Sequence, residues 1–322
     1  MKPLKIYNDV NRFVIDWTLN TLCTYKCSYC PPTLNSGKNL IYNKDNDSAI
    51  VKNFLTKLHN EIKGRSVHVF LNGGEPTISH SFETIIDFCN DVGWCSYVNT
   101  NCSRTIDWWR SWAPKIFKVT VSYHPEFADD EIFEKVKVIG ELTNVGVFTL
   151  MYPPFWEKAK QAFEKFKTYS NIALEPSRVF KRNASDASVS YEYSEEQVKW
   201  LNENSGLNIR GSTKPPPKNN YYGKTYIEYD NGEAHYLDEV LFVNTRRNSF
   251  KGWQCFMGTE NVWISGNGDI KDSACPQAKV FSTIKDFNGL KTTPVICKMD
   301  WCMCTSDVLL SKVNIGAVKN GL

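Results

Sequence analysis

The chain has 322 residues, of which 42% are apolar and 23% charged, with a formal net charge of +3. That length holds one large domain or one and a half, the composition is that of an ordinary globular protein, and no apolar run approaches transmembrane length. The charge does not point to a dedicated DNA binder, although it leaves a nucleotide or nucleic-acid substrate open. The start Met1-Lys-Pro-Leu-Lys5 lacks the apolar core of a signal peptide, so the eleven cysteines read as thiols of a reducing, cytoplasmic protein rather than as disulfides.

The first 180 residues alternate between strand-like and helix-like segments. An apolar run over 13–19 is the first strand, and the segment Cys23-Thr-Tyr-Lys-Cys27-Ser-Tyr-Cys30 follows it. Ile50, Phe54, Leu55, Leu58 and Ile62 fall at helical spacing over 47–63, closed by Gly64. A buried strand at 67–71 ends in Asn72-Gly73-Gly74-Glu75-Pro76-Thr77, and a helix over 80–92 comes next. Strand 94–99 ends in Asn99-Thr100-Asn101, and a helix near 104–112 leads to strand 116–122. Helix 129–142, strand 145–151, helix 154–168 and a sixth strand near 172–175 complete the series. Six such units imply a parallel sheet with helical crossovers, too few for a closed eight-stranded barrel.

Residues 181–250 change character. A polar link at 182–188 precedes Ser194-Glu-Glu-Gln197, which has the form of a capping box opening a short helix. Lys214-Pro-Pro-Pro-Lys-Asn-Asn220 is a stiff exposed loop, and 226–236 reads as a hairpin turning at Asn231-Gly232. The lone His235 decorates that hairpin. Five cysteines crowd the last quarter: Cys255, Cys275, Cys297, Cys302 and Cys304. Cys89 and Cys95 fall on apolar faces and read as core.

Three cysteines at C-x3-C-x2-C spacing place three thiolates on one short loop. They can take three corners of a 4Fe–4S cluster and leave one iron open to a substrate or co-substrate. The loop follows strand one, and Gly73-Gly74-Glu75 follows strand two. In parallel α/β folds ligands bind at the carboxyl ends of the strands, so both motifs fall on one rim. Asn99, Asn101, Ser122, His124 and Met151 share that rim as ligand candidates. The alternatives are loop capping for Ser122 and His124 and simple core packing for Met151. Cys102 beside the rim is a candidate hydrogen donor, against a plain loop thiol.

The cysteine loop, with the aromatic Tyr29 before its last cysteine, resembles the signature of the radical S-adenosylmethionine (SAM) superfamily. Gly73-Gly74-Glu75-Pro76 resembles that family's GGEP motif, whose backbone and acid hold the methionyl amino group. The resemblance implies a partial (β/α)6 barrel over 1–180, a linker and hairpin region over 181–250, and an auxiliary-cluster domain over 251–322. It implies a 4Fe–4S cluster on Cys23, Cys27 and Cys30, with SAM held by Tyr29, Gly73, Gly74, Glu75, Asn99, Asn101, Ser122, His124 and Met151. The activity implied is one-electron cleavage of SAM to a 5′-deoxyadenosyl radical that abstracts hydrogen from a substrate. An external donor such as a flavodoxin or ferredoxin would supply the electron.

The late cysteines resemble a twitch domain, the shortened relative of the SPASM extension, in which a β-hairpin and following helix carry a second 4Fe–4S cluster. The family pattern is C-x9–15-G-x4-C. Here twelve residues separate Cys255 from Gly268, but six separate Gly268 from Cys275, which leaves the hairpin register open. Cys255 and Cys275, with two of Cys297, Cys302 and Cys304, are the expected ligands.

The substrate class divides among small molecules, nucleotides or nucleobases, and peptides. No peptide-binding domain is read ahead of strand one, which tilts the expectation away from a leader-dependent maturase. The rival from another class is a zinc-stabilised binding protein without catalysis, which explains both cysteine groups but not the Gly-Gly-Glu-Pro turn on the same rim.

Overall fold

The computed structural model describes residues 1–31, 47–180, 190–205, 221–302 and 304–319. The polar link at 182–188 and the proline loop at 214–220 lie outside the described residues. The chain opens with β1 (Pro3–Asn8) and β2 (Arg12–Thr18), then α1 (Asp47–Glu61), β3 (Ser66–Asn72), α2 (Phe82–Val92) and β4 (Cys95–Thr100). It continues through α3 (Ile106–Trp112), β5 (Lys118–Tyr123), α4 (Glu131–Leu142), β6 (Asn144–Leu150), α5 (Trp156–Lys167) and β7 (Ile172–Ser177). The fold is mixed α/β, and the alternation from β2 to β7 follows the sequence pattern with ends displaced by about two residues. Strand β1 was not expected. Its partners are distant in sequence, and only Ile6 of its six residues is buried, so no local pattern marks it.

The later part holds α6 (Glu195–Asn204), β8 (Thr225–Tyr229), β9 (Ala234–Tyr236), α7 (Glu239–Asn244), β10 (Gln254–Cys255), β11 (Asn261–Ile264) and β12 (Asp269–Lys271). Then come β13 (Val280–Thr283), β14 (Val295–Ile296), α8 (Thr305–Val308), β15 (Lys312–Val313) and α9 (Ile315–Lys319). Ser194 caps α6 as its sequence suggests: its Oγ accepts from Gln197 N at 3.2 Å, and Gln197 Oε1 accepts from Ser194 N at 3.0 Å.

The described residues form two compact units. One comprises Met1–Trp17, Lys44–Val69 and Pro217–Leu322; the other comprises Thr18–Asn43 and Phe70–Pro216. The division falls within β3. In the first unit six strands run in the order β14-β10-β15-β1-β8-β9. Separately, β11 lies parallel to β2 and antiparallel to β12, with Gly268 closing the hairpin at φ 74°. Helix α1 turns Val51, Phe54, Leu55 and Leu58 inward, and the Phe54 ring meets Trp17 and Phe287 edge-on.

In the second unit β4, β5, β6 and β7 are parallel neighbours in sequence order. Their β-branched residues Val98, Val119, Val121, Val145 and Val147 are buried, as strands covered by crossover helices require. Helix α2 buries Phe82, Ile85, Ile86 and Cys89, one stripe at the helical period. Cys95 is fully buried on β4, so Cys89 and Cys95 are both core. This parallel order with helical returns gathers the carboxyl ends of the strands, and the loops that follow them, along one edge.

Candidate active site

That edge is where the cysteine loop lies, and a seam of hydrogen bonds joins it to the turn after β3. Leu19 N donates to Asn72 O at 2.9 Å, Gly74 N to Asn20 O at 3.0 Å, and Glu75 N to Leu22 O at 2.6 Å. The Asn20 side chain returns from the other direction, its Nδ2 donating to Glu75 O at 2.9 Å. Two chain segments some fifty residues apart are thereby fixed side by side, with backbone groups rather than rotatable side chains carrying most of the register.

Gly73 makes this approach possible. Its φ is +147°, and a Cβ there would stand 2.6 Å from Asn20 O, a backbone atom that cannot swing aside. Only glycine fits so close a crossing. Asn20 is fully buried, and its Oδ1 has no hydrogen-bond partner among the described residues. A buried acceptor left open beside Gly73 is an unmet demand for a donor.

Glu75 is fully buried and unusually well served. Its Oε1 accepts from Thr77 N at 3.1 Å, Thr77 Oγ1 at 2.6 Å and Thr100 Oγ1 at 2.8 Å, while Oε2 accepts from Asn101 N at 2.7 Å. Burial pushes its pKa up, and the bonds from Thr77, Asn101 and Thr100 pull against that shift. The carboxylate therefore clamps the end of β4 to the turn after β3.

Asn101 links this clamp to the cysteines. Its Nδ2 donates to Thr24 Oγ1 at 3.0 Å and lies 3.4 Å from Cys23 Sγ. Thr24 Oγ1 in turn donates to Ser103 Oγ at 2.9 Å. Cys102, between these contacts, is buried at φ 61°, a strained setting for a non-glycine residue, and burial pushes its thiol pKa up. Asn99 bonds to the Asn72 side chain one strand away and is exposed. Ser122 sits half-buried near the end of β5.

The other side of the loop is aromatic. His124 Nδ1 lies 2.8 Å from the Tyr29 hydroxyl and 3.4 Å from Cys27 Sγ. Burial lowers the His124 pKa to about 4, so the ring is neutral at pH 7. The Tyr29 ring stacks on His124 and tilts against Tyr152 at 4.6 Å, and the Tyr25 ring stacks on Phe127. Cys27, Tyr29, Tyr152 and Val179 form one buried cluster, with Tyr25, Cys30 and Tyr191 packed against it. Glu126 anchors the loop from β5, accepting from Ser28 N at 2.9 Å.

Most candidates from the sequence converge here. Met151 does not: its side chain packs with Trp156, Ala159 and Leu201, and its carbonyl accepts from Tyr193 at 2.8 Å. The sequence reading missed Asn20, Tyr152, Glu126 and Tyr191. Asn20 and Glu126 carry no local signal, whereas Tyr152, at the end of β6, lies on the rim by the same reasoning that selected its neighbour Met151.

The Cys27 thiol feels the charge of the other two. Burial raises the Cys27 pKa to about 12, with Tyr29 pulling it down and Glu126, Cys23 and Cys30 raising it further. Burial likewise raises that of Cys23. Such thiols stay protonated unless a cation stabilises the thiolate, which suits an iron–sulfur centre. Among the described residues no three Cys, His, Asp or Glu side chains converge on the position of one metal ion. A cubane makes a different demand, because each thiolate takes a separate iron.

The late cysteines gather in the first unit. Cys255 on β10 pairs with Val295 of β14, two residues before Cys297, and Cys297 N donates to Trp253 O at 2.8 Å. Cys255 packs with Met257 and Leu310, with Cys275 against them, while Cys297 and Cys302 share a neighbouring cluster. The fields of Cys255 and Cys275 both reach Cys302, and that of Cys297 reaches Cys255 and Cys275. Cys304 caps the start of α8, its carbonyl accepting from Val308 N at 3.0 Å. Asp307 nearby is buried, its pKa raised to about 6 by desolvation against the pull of Lys312.

No protein-family model and no curated protein matches the sequence. The chain is similar to solved structures of SuiB from Streptococcus suis. With SuiB bound to S-adenosylmethionine the identity is 13% and the TM-score 0.46, over 82% of this chain and 61% of that one. With SuiB alone the values are 13% and 0.45, and with SuiB bound to precursor peptide SuiA they are 12% and 0.44. The chain thus spans about three-fifths of the length of these structures. Among the described residues no helix is long and apolar enough to cross a membrane.

Proposed function

We propose that this chain is a radical SAM enzyme, built on a partial (β/α)6 barrel with a twitch-like auxiliary-cluster region. What supports the reading most is the seam that ties the cysteine loop to Gly73-Gly74-Glu75 and Asn101. Two motifs recognised separately in the sequence are held against each other by backbone hydrogen bonds.

Cys23, Cys27 and Cys30 would hold the first 4Fe–4S cluster and leave one iron for SAM. When bound and reduced, that cluster supplies the electron that cleaves SAM to methionine and a 5′-deoxyadenosyl radical. Gly73, Gly74 and the open Asn20 Oδ1 would receive the methionyl ammonium. Glu75 contributes its charge from behind while its oxygens keep the turn in shape. Asn99, Asn101 and Ser122 are the polar candidates for the ribose and carboxylate. Neutral His124 fixes the ring of Tyr29 over Cys27, and the aromatic cluster excludes water from the loop. An adenine contact is better supplied by Tyr152, which packs with Cys27 and Tyr29, than by Met151, which packs with Trp156, Ala159 and Leu201. The substrate would be a small molecule, nucleotide or peptide that loses a hydrogen atom to the radical, and a flavodoxin or ferredoxin would supply the electron.

The test is anaerobic reconstitution with iron and sulfide, followed by SAM and dithionite. The expected result is about eight irons per chain for two clusters and formation of 5′-deoxyadenosine, lost in Cys27→Ala with the fold retained. Cleavage that survives Cys27→Ala, or tight zinc in place of iron, would overturn the proposal.

A further inference from the structure

The auxiliary cysteines have a buried cation among them that the proposed chemistry does not use. Lys312 is 1% exposed, one of the largest fully buried side chains in the protein. It lies in β15 directly opposite Cys255 of β10 in an antiparallel pair, and on its other side opposite Ile6 of β1. Residues directly opposite in such a pair project to the same face, so the ammonium and the thiol share one side of the sheet. The Lys312 ammonium stands over the Phe250 ring, with Nζ 4.9 Å from the centroid. Its Nζ then donates to the carbonyls of Asp307, Val308 and Leu310, at 2.5, 3.1 and 3.0 Å.

Those three bonds use every donor an ammonium has. They satisfy its hydrogen-bonding demand but not its charge, because all three acceptors are neutral. Among the described residues no carboxylate stands within 4 Å of Nζ. Removing an ammonium from water costs several kcal/mol unless an opposite charge faces it. The anionic groups that can do so are the Asp307 carboxylate and the thiolates. The field of Lys312 acts on Cys255, Cys302 and Asp307 alike, favouring the charged form of each. A helix-capping role explains the three carbonyl bonds. It does not explain why the cap is a cation in strand register with a cysteine.

We propose that Lys312 is the fixed counter-charge of the auxiliary cluster and raises its reduction potential. The inference rests on the cluster reading of the late cysteines. One-electron reduction places a further negative charge on a centre that is already anionic. A cation locked beside it favours the reduced form, and it cannot reorganise because its three hydrogens are committed. Lys312 is a positioning residue, acting through the field it sets up at Cys255 and Cys302.

The experiment uses the full chain with Cys23, Cys27 and Cys30 each changed to Ala, so that only the auxiliary cluster is loaded. Its midpoint potential is read by dithionite titration with electron paramagnetic resonance at pH 8. Lys312→Met is expected to shift the reduced-to-oxidised ratio at a given poise about tenfold toward oxidised, about 59 mV for one electron. Lys312→Arg, which keeps the charge, should stay within about twofold of the parent by the same conversion. An unchanged potential in Lys312→Met with full iron content would overturn the proposal. If Lys312→Met does not hold the cluster, Asp307→Asn decides, since losing that carboxylate should move the potential upward. A potential indifferent to Asp307 would overturn the proposal equally. Parent protein that takes up no iron would instead overturn the cluster reading, and this inference with it.

Discussion

Replacing Gly73 by alanine tests the central seam with a control inside the same molecule. The new Cβ would stand 2.6 Å from Asn20 O and 3.2 Å from Asn20 N, so two backbones must separate. The positive φ alone costs a non-glycine residue about 1–2 kcal/mol. Separation would also weaken the Gly74 N to Asn20 O bond and the adjoining Asn20 Nδ2 to Glu75 O bond. Each is worth about 0.5–1.5 kcal/mol. The total is roughly 2–5 kcal/mol, expressed as lost stability or as displacement of the loop carrying Cys23. Gly64 has the same backbone sign, φ 83°, yet a Cβ there meets nothing within 4 Å. Gly64→Ala should therefore cost only the conformational part, about 1–2 kcal/mol. Urea unfolding of both variants, with equilibrium dialysis of SAM on anaerobically loaded protein, separates the two effects. We expect Gly73→Ala to bind SAM at least about tenfold more weakly, since 1.4 kcal/mol is a factor of ten. Gly64→Ala should bind normally. Equal destabilisation of the two variants with SAM binding intact would refute the argument that close approach at Gly73 sets the site.

Three further changes probe the surroundings. Glu75→Gln turns an acceptor into an NH2 facing donors from Thr77, Thr100 or Asn101, and should lower stability by about 1–3 kcal/mol in chemical denaturation; an unchanged midpoint would show that the clamp does not hold in solution. Tyr29→Phe removes the hydroxyl 2.8 Å from His124 and should cost about 0.5–1.5 kcal/mol while iron content stays at the parent level, whereas loss of iron would mean that the Tyr29–His124 pair is needed to seat Cys27. His68 is buried, with a pKa lowered to about 3 by desolvation and then by the charge of Arg12. Its neutral form is favoured on folding, so its contribution is complete above pH 6.5 and is lost as pH falls toward 3, with stability rising with pH in that window. His68→Gln should remove that slope, and a difference between parent and variant that is constant from pH 4 to pH 7 would contradict it.

What the sequence reveals depends on how local the cause is. The meeting of the cysteine loop with Gly73-Gly74-Glu75 is legible because the rim they share follows from strand–helix alternation alone. Helix α2 is legible because Phe82, Ile85, Ile86 and Cys89 repeat at the helical period. The Glu75 clamp is not, since its donors Thr100 and Asn101 lie some 25 residues away on another strand, and no pattern in either segment names the other. Strand β1 is hidden for the same reason, as its partners β8 and β15 lie in the later part of the chain. Lys312 is the extreme case. A lysine near a chain end reads as solvated charge, and only three-dimensional register shows it opposite a cysteine.

The two cysteine groups differ in their electrostatic setting. Around Cys23 and Cys27 the contacts come from neutral partners: an Asn101 amide, a neutral imidazole and a tyrosine hydroxyl. Such a setting orients thiolates without offsetting their charge; burial raises the Cys23 pKa, and the field of the buried Glu75 adds to that rise. Around Cys255 and Cys302 a locked ammonium acts in the opposite sense, and its pull on both thiols exceeds the push of the buried Asp307. By electrostatics alone a cluster at the first site is harder to reduce, and so a stronger one-electron donor once reduced, than one at the second. On the proposed reading, that ordering is the one required of the cluster that would cleave SAM. It makes a measurable statement: in fully loaded protein the potentials of the two clusters should separate, with the cluster on Cys23, Cys27 and Cys30 the lower. Coincident potentials, or the reverse order, would mean that solvent exposure or hydrogen bonding to the sulfurs outweighs the fixed charges identified here.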